Sequence, residues 1–489
     1  MERLRICFVS SEYAPLAKTG GLADVSAALT RYLHSAGHDV RAFLPLYRRV
    51  DDGKRKLQPV EFLQGIEVQI GQSTHRFSIY KTTVPGSDLE INLVHCPSLF
   101  GREDIYTQDA DEHLRFLLLS HAAIISCQRM GFSPQIVHCN DWQTGMIPLL
   151  FRTVYRWDQL FDHVRTVMTI HNIGYQGIFG PNIVPDLELA NDTYLLHQED
   201  LNKGQVGFLK TGLLYADGLT TVSPTYAKEI QTEEHGMGME EILRVRKERL
   251  VGLLNGVDYE EWDPAHDPLI PHSYSLEDPS GKAKNREALL RGVGLPGSPT
   301  APVIGMVTRL TAQKGLDLVE KVLPEILRER DMRLVVLGSG EPRYEEFFLR
   351  MRRTFPGKVH FHNGFSNDLA HLIEAGSDAF LMPSKYEPCG LNQMYSLRYG
   401  TVPIVRKTGG LADTVDLYDP ETGEGTGVVF EHYNTAGLRW AILATLDLYR
   451  NKAVWEKIVK SGMEKDFSWE KQGALYVELY RRLIASPRY

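Results

Sequence analysis

Short apolar runs alternate with longer amphipathic stretches along most of the chain. This alternation is typical of parallel sheets covered by helices, so we predict an α/β architecture. The runs predict strands at Leu4 to Val9, Asp39 to Leu44, Ile136 to His138, Arg165 to Ile170, Gly218 to Val222, Val303 to Val307, Leu334 to Leu337, Val359 to Phe361, Ala379 to Met382 and Thr401 to Val405. Glu112 to Met130 predicts a helix, with Asp111 as its N-cap and Gly131 just past its end.

The length of 489 residues predicts two domains, because single cores seldom organise more than about 250 to 300 residues. A linker is predicted at 252–258, where turn residues follow a charged helix from Arg244 to Arg249. The first domain is then 1–251 and the second 259–465. Within the remaining segment, 466–489, apolar spacing predicts a helix from Trp469 to Ile484.

Composition and charge narrow the classes of function. The chain has 43% hydrophobic and 24% charged residues, as ordinary globular proteins do, and its net charge of −8 argues against a nucleic-acid partner. Any phosphate site must therefore be local. The five cysteines are far apart and form no C-x-x-C pair, which indicates reduced thiols. Because no signal peptide or run of about 18 apolar residues is evident, we expect a cytoplasmic protein without membrane contact.

An internal repeat is the most informative feature of the sequence. Lys18-Thr19-Gly20-Gly21-Leu22-Ala23-Asp24 recurs unchanged as Lys407-Thr408-Gly409-Gly410-Leu411-Ala412-Asp413. Each copy lies between a predicted strand and a helical pattern, so each Gly-Gly pair could let backbone N–H groups approach an anion. The alternative is that both copies are only tight turns between a strand and a helix.

Several motifs, in order along the chain, resemble those of bacterial glycogen synthases and plant starch synthases. The first extends from Ser11 to Val25 and contains the first repeat copy. The others are His138 to Gln143, Thr169 to Gly177, Phe208 to Gly212, Leu254 to Asp258, Thr308 to Gly315 and Glu387 to Leu391. The resemblance covers nearly the whole chain.

The resemblance implies a GT-B fold, with two Rossmann-like domains facing each other across a cleft, and a C-terminal helix that returns to the first domain. The first domain would bind the acceptor and the second the nucleotide sugar. The implied reaction transfers glucose from ADP-glucose to the 4-hydroxyl of an α-1,4-glucan primer with retention of configuration. No cofactor is implied, and the oligomeric state stays open.

The resemblance also suggests roles for individual residues. Arg309 and Lys314 would bind the diphosphate, Glu387 would contact the donor sugar, and His171 would contact the glucosyl unit near the reacting carbon. Lys18 would complete the diphosphate clamp. Further donor-binding candidates are Gly20, Gly21, Asn255, Cys389, Gly390, Leu391, Thr408 and Gly409, and possible sugar or acceptor contacts are Asp24, Asp141 and Asn172.

Two positions leave questions open. Phe365 could stack on the nucleobase, but packing inside the protein is an alternative role for this ring. Many retaining GT-B enzymes carry a second glutamate eight positions after the first, whereas this sequence has Tyr395 there. What contacts the ribose is therefore not settled by the motif.

No metal site is predicted. Asp109-Ala110-Asp111 superficially matches a metal-binding D-x-D motif, but its position before a helix favours capping. His360 and His362 alternate along a predicted strand without a carboxylate or thiolate to complete a ligand set.

The sequence leaves two alternatives to its interpretation as a synthase. A glycogen phosphorylase shares the two-domain architecture but uses pyridoxal phosphate bound to a lysine. The other alternative is a non-catalytic glucan-binding or scaffolding protein descended from a synthase, although a pure binder would have no need of a diphosphate clamp.

Overall fold

The computed structural model describes residues 3–50, 55–84, 86–189 and 192–487. The chain divides into two compact units. The first comprises 1–222, 227–256 and 469–489, and the second comprises 223–226 and 257–468. Among the described residues, no helix is both long and apolar enough to cross a membrane.

The first unit is built on one mixed sheet. Its strands are β1 (Arg5–Val9), β2 (Asp39–Pro45), β3 (Gln58–Pro59), β4 (Ile66–Ile70), β5 (Ser73–Thr83), β6 (Glu90–His95), β7 (Ile136–Asn140), β8 (Arg165–Ile170), β11 (Gly218–Thr221) and β12 (Leu250–Gly252), while β9 (Ile178–Phe179) and β10 (Val206–Gly207) form a separate pair. The order is β12-β11-β8-β7-β1-β2-β6-β5-β3, with β4 paired to β5. Pairing is parallel from β12 to β6 and antiparallel among β3 to β6.

Helices join the strands of this unit. They are α1 (Gly21–Ser35), α2 (Pro97–Phe100), α3 (Glu112–Arg129), α4 (Ile147–Leu150), α5 (Gln198–Asn202), α6 (Phe208–Tyr215) and α8 (Glu240–Val245). The residues of α7 (Pro224–Glu229) are divided between the two units. The charged helix predicted at Arg244 to Arg249 is wrong in its bounds, because α8 begins at Glu240 and a separate 3-10 turn covers Lys247–Arg249.

The second unit contains a fully parallel sheet. Its strands are β13 (Val303–Val307), β14 (Arg333–Gly338), β15 (Val359–Asn363), β16 (Ala379–Met382), β17 (Val402–Arg406) and β18 (Val428–Phe430), in the order β15-β14-β13-β16-β17-β18. Its helices are α9 (Ser280–Gly292), α10 (Leu316–Glu329), α11 (Pro342–Thr354), α12 (Asn367–Gly376), α13 (Asn392–Arg398), α14 (Gly409–Thr414), α15 (Thr435–Arg450) and α16 (Lys452–Met463). Numbered within the unit, the strand order is 3-2-1-4-5-6, that of a doubly wound nucleotide-binding sheet.

The chain then returns to the first unit through α17 (Trp469–Ala485). The Tyr480 hydroxyl lies 2.6 Å from Nδ1 of His138 on β7. The Arg165 guanidinium donates to the carbonyl oxygens of Leu483 and Ser486 at 3.1 and 2.7 Å. Side chains of β7 and β8 therefore hold α17 against the sheet.

In open parallel sheets, ligands bind beyond the carboxyl ends of the strands, where the strand order reverses. This position lies between β1 and β7 in the first unit and between β13 and β16 in the second. The segments that follow these four strands are therefore the places to look for functional side chains.

Candidate active site

The loop between β1 and α1 carries Lys18, Gly20 and Gly21. Lys18 is exposed, and its ammonium lies 2.7 Å from Oδ1 of Asp24 in the first turn of α1. Gly20 is the N-cap residue of α1 and Gly21 its first residue. The helix thus fixes a cation at its own N-terminal end through Asp24.

The backbone of this loop differs from the expectation for an anion cradle. The N–H groups of Thr19 and Gly20 donate to Oε2 of Glu12 at 2.6 and 3.0 Å. The Thr19 hydroxyl donates to Oε1 of the same carboxylate at 2.6 Å. A carboxylate of the protein therefore already occupies these two N–H groups. Sequence reasoning missed Glu12, although an acidic residue three positions after a buried strand was a visible signal.

His171 and Asp141 meet at the carboxyl ends of β7 and β8. The His171 N–H donates to Oδ1 of Asp141 at 2.7 Å, and Nε2 of His171 lies 2.9 Å from Oδ1 of Asn140. The Asn140 amide nitrogen donates to the Val9 carbonyl at 2.9 Å. This bond turns Oδ1 of Asn140 towards the imidazole, so Nε2 of His171 carries the proton and Nδ1 is the acceptor.

Burial sets the protonation of both groups. It raises the pKa of Asp141 to about 7, and the N–H groups of His171 and Asn172, which lower it, offset this only in part. It lowers the pKa of His171 to about 3. The imidazole is therefore neutral near pH 7. Asp141 also adopts a left-handed backbone conformation (φ 53°), which is uncommon for a residue other than glycine.

Asn172 and Asn255 are the other candidates in this unit. Asn172 is half-buried and its Oδ1 accepts from the Gly174 N–H at 3.0 Å, which shapes the loop after β8. Asn255 follows β12 and is buried. Its Oδ1 is buried and has no hydrogen-bond partner among the described residues, which leaves one unused acceptor after β12.

In the second unit, Lys314 and Glu387 form an ion pair. The ammonium lies 2.7 Å from Oε2 of Glu387, which also accepts from the Ser384 hydroxyl at 2.9 Å. The side chains are 18% and 7% exposed. Two residues assigned separately from the sequence are therefore direct partners, although 73 positions separate them.

Arg309 lies two residues after the end of β13 and is exposed. Within the described ranges, its guanidinium makes no hydrogen bond or ion pair. The structure therefore leaves a cation available at the strand-order reversal, five residues before Lys314.

The second repeat copy lies against the Glu387 to Leu391 loop. The Gly410 N–H donates to the carbonyls of Glu387 and Pro388 at 3.1 and 3.2 Å. A Cβ at Gly409 would lie 1.9 Å from the Glu387 carbonyl oxygen, and the φ of 45° also favours glycine. The contact thus brings together five predicted donor-binding residues: Cys389, Gly390, Leu391, Thr408 and Gly409.

Phe365 follows β15 and is 84% exposed. A side chain this exposed contributes little to the core of its unit. The packing alternative is therefore not the one this structure uses, and the ring is available to a ligand.

Tyr395, at the position where other retaining GT-B enzymes carry a glutamate, packs against another aromatic ring. Its ring stacks on Trp262 with centroids 4.0 Å apart and planes 2° from parallel, and His371 stacks on Trp262 at 3.8 Å. Asp267 accepts hydrogen bonds from His371 and Tyr399 at 2.8 and 2.7 Å. The position that holds a glutamate in other retaining GT-B enzymes is thus part of a packed aromatic stack here.

The rejected metal motif has a different use. Asp111 occupies the N-cap position of α3, but its side chain makes no capping bond. Both Asp109 and Asp111 pair with Arg102, at 2.8 and 2.5 Å. The prediction that Asp111 caps the helix through its side chain is therefore wrong, because the arginine takes that carboxylate. Over 3–50, 55–84, 86–189 and 192–487, no group of three or more His, Cys, Asp or Glu residues could hold a metal ion.

Comparisons with known proteins place the chain in a family. The family model described as "Starch synthase catalytic domain" matches residues 5–245, and that described as "Glycosyl transferases group 1" matches 296–461. The chain is 44% identical over 482 residues to a glycogen synthase of Anaeromyxobacter sp. (strain Fw109-5), covering 99% of this chain and 100% of that protein. It is 45% identical over 488 residues to a glycogen synthase of Myxococcus xanthus (strain DK1622), with the same coverage.

Solved structures agree with these relatives. The catalytic domain of starch synthase IV from Arabidopsis thaliana, bound to ADP and acarbose, superposes with a TM-score of 0.90 and 33% identity, covering 99% of this chain and 100% of that one. A sucrose-phosphate synthase from Thermosynechococcus elongatus, 17% identical with a TM-score of 0.60, shares the fold. These relatives are synthases and not phosphorylases, and they support an enzyme over a non-catalytic protein. The chain belongs to the glycogen synthase and starch synthase family and is a retaining glycosyltransferase with the GT-B fold.

Proposed function

We propose that the chain transfers glucose from ADP-glucose to the non-reducing 4-hydroxyl of an α-1,4-glucan such as glycogen, and releases ADP. The observation that carries this proposal is the Lys314–Glu387 pair next to the available Arg309. A nucleoside diphosphate needs cations as it departs, and the transferred sugar needs a hydrogen-bond acceptor beside them. The second unit supplies both at one edge of its sheet.

The diphosphate is the first point of contact. Arg309 engages it with paired N–H groups, and Lys314 adds a compact charge. The ion pair with Glu387 already orients the Lys314 ammonium before a diphosphate binds. Lys18 is assigned a further charged contact to the donor.

The glucosyl unit is held by neutral groups and one carboxylate. Glu387 accepts hydrogen bonds from sugar hydroxyls. The proton on Nε2 of His171 is directed to Asn140, so Nδ1 accepts from a sugar hydroxyl near the reacting carbon. A neutral imidazole suits this role, because a cation would oppose the positive charge that develops on the anomeric carbon.

Retention follows from front-face displacement in this proposal. The bond from the anomeric carbon to the diphosphate oxygen breaks, and the bond to the acceptor oxygen forms on the same face. The acceptor proton passes to the departing diphosphate. In this proposal the site residues bind and orient the two substrates, and none of them attacks the anomeric carbon.

Phe365 stacks on the nucleobase, and its exposure supports this assignment. The family relationship favours adenine, and a glucan is the acceptor. All five cysteines are buried and free, which supports the proposal of a reducing, cytoplasmic location.

The test compares ADP-glucose and UDP-glucose as donors to glycogen without added metal, and quantifies released nucleoside diphosphate with polymer growth. We expect growth with ADP-glucose in at least about tenfold preference, a difference worth about 1.4 kcal/mol. Preference for UDP-glucose would reject the nucleobase assignment, and no transfer from either donor would reject the proposed function.

A further inference from the structure

The Glu12 carboxylate is surrounded by hydrogen-bond donors. Oε2 accepts from the N–H groups of Thr19 and Gly20, and Oε1 accepts from the hydroxyls of Thr19 and Tyr106, at 2.6 to 3.0 Å. Each oxygen thus takes two donors, which uses the full acceptor capacity of the carboxylate. Glu12 is 4% exposed. A buried charge with every acceptor site filled defines one geometry for the loop that carries Lys18.

The backbone of Glu12 is anchored as firmly as its side chain. The Ser10 hydroxyl donates to the Glu12 carbonyl at 2.8 Å and in turn accepts from the Ser26 hydroxyl at 2.9 Å. Ser11 and Tyr106 also share a hydrogen bond of 2.9 Å. Because Tyr106 gives its own proton to Glu12, the Ser11 hydroxyl is the donor in that bond. The backbone on either side of the carboxylate is therefore fixed by hydrogen bonds that do not involve the Lys18 loop.

The second repeat copy shows that this arrangement is not dictated by the repeated sequence. There the Thr408 N–H, which is the counterpart of the Thr19 N–H, donates to the Arg406 carbonyl at 3.0 Å. The same threonine N–H is thus held by a neutral carbonyl in one copy and by a buried carboxylate in the other. The difference lies in Glu12, outside the repeat.

We propose that Glu12 is a positioning residue that fixes the Lys18 loop for donor binding, by taking the Thr19 and Gly20 N–H groups that could otherwise bind phosphate. The inference rests on the proposed role of Lys18. Since these two N–H groups are occupied, they are not free to bind a phosphate, and the lysine ammonium is the group that Glu12 makes ready for the donor. Asp24 then sets the direction of that ammonium from the first turn of α1.

Two substitutions at Glu12 separate this role from simpler ones. Glu12→Gln keeps an oxygen for the two N–H groups and turns its amide towards the hydroxyls of Thr19 and Tyr106, which can rotate and accept. Glu12→Ala removes all four bonds. The loop is therefore retained in part in the first variant and released in the second.

The experiment measures the dissociation constant of ADP by calorimetry in the wild type, both Glu12 variants, Lys18→Ala and the Lys18→Ala/Glu12→Ala double variant. Losing the positioned cation should weaken ADP binding about tenfold in Glu12→Ala, and about threefold in Glu12→Gln. In the Lys18→Ala background, Glu12→Ala should cause no further loss. Hydrogen exchange at Thr19 and Gly20 should accelerate in Glu12→Ala.

A matched control is available in the same unit. Asp217 accepts the N–H and hydroxyl of Thr166 at 2.8 and 2.9 Å, in the same manner but at the amino ends of the strands. Asp217→Asn should lower thermal stability without changing ADP affinity. If Glu12→Ala does not fold, Glu12→Gln carries the test alone.

Several results would overturn the inference. Tighter ADP binding in Glu12→Ala would mean that the carboxylate blocks a phosphate cradle instead of positioning a lysine. A full Glu12→Ala effect in the Lys18→Ala background would show that Glu12 does not act through Lys18. If Lys18→Ala weakens ADP binding but neither Glu12 variant does, the proposed function stands and this inference fails. If Lys18→Ala leaves ADP binding and turnover unchanged, the proposed role of Lys18 fails as well.

Discussion

Replacing Lys314 by Ala should lower the thermal stability, because Glu387 loses its partner, and should separately lower the activity, because the diphosphate loses a cation. In the wild type, the ammonium lies 2.7 Å from a Glu387 carboxylate that is 7% exposed. The substitution leaves that carboxylate with the Ser384 hydroxyl, which donates at 2.9 Å. Removing one partner of a fully buried pair costs about 3 to 5 kcal/mol. Because the Lys314 side chain retains 18% exposure, water replaces part of the loss, and we expect about 1 to 2 kcal/mol.

The measured quantities are a melting temperature and a rate. For a unit of this size, that loss lowers the melting temperature by about 2 to 8 °C. Turnover loses the diphosphate contact in addition, and kcat/KM should fall about 10- to 150-fold, since a charge-assisted contact contributes about 1.5 to 3 kcal/mol. Calorimetric melting and ADP release under initial-rate conditions are the assays.

A second substitution distinguishes the two routes. Glu387→Gln in the Lys314→Ala background removes the unpaired charge, so the melting temperature should recover while turnover stays low. Lys465→Ala is the matched control, because its ammonium pairs with Asp416 at 2.9 Å on the surface of the same unit. This exposed pair should contribute less than about 1 kcal/mol. If Lys314→Ala melts like the wild type and the double variant is no more stable than the single one, the reasoning about the pair is refuted.

Three further changes test other parts of the account. Burial raises the pKa of Asp141 to about 7, above its usual value, so the contribution of this carboxyl to stability is full below about pH 4 and is lost as the pH rises through 7. In melting curves between pH 5 and 9, Asp141→Asn should therefore gain stability relative to the wild type, and a difference independent of pH would contradict this. His171→Asn should lower kcat about 100-fold. Because the pKa of His171 is about 3, the shape of the activity profile between pH 5 and 8 should not change, and loss of a limb in that range would show that the imidazole titrates there. Phe365→Ala should raise KM for ADP-glucose about 5- to 50-fold at unchanged melting temperature, as expected for an exposed ring that stacks on a base, and an unchanged KM would remove Phe365 from the donor site.

Strands buried on both faces were the most predictable part of the fold. The bounds of β8, β13 and β16 are those predicted, because each is a continuous apolar or β-branched run between polar turns. The antiparallel extension was missed. In β5, polar residues alternate with apolar ones and much of the strand is exposed, so its pattern did not stand out from a loop.

Site residues were predictable where they belong to local motifs, and long-range partners were not. The motif signatures identified Lys314 and Glu387 separately, but only the order of β13 and β16 brings them together. Similarly, the Gly-Gly repeat predicted two equivalent loops, whereas Glu12 makes them different. The role of Tyr395 depended on Trp262, which lies more than 100 positions away and carries no motif of its own.

The central claim is transfer from ADP-glucose with retention, and one measurement tests it directly. The enzyme is supplied with ADP-glucose labelled with ¹³C at the anomeric carbon and with a short maltooligosaccharide, and the new linkage is examined by NMR as ADP is released. The account predicts an α-1,4 linkage at the non-reducing end, formed in equal amount to ADP. A β linkage, or ADP release without a new glycosidic bond, would contradict it.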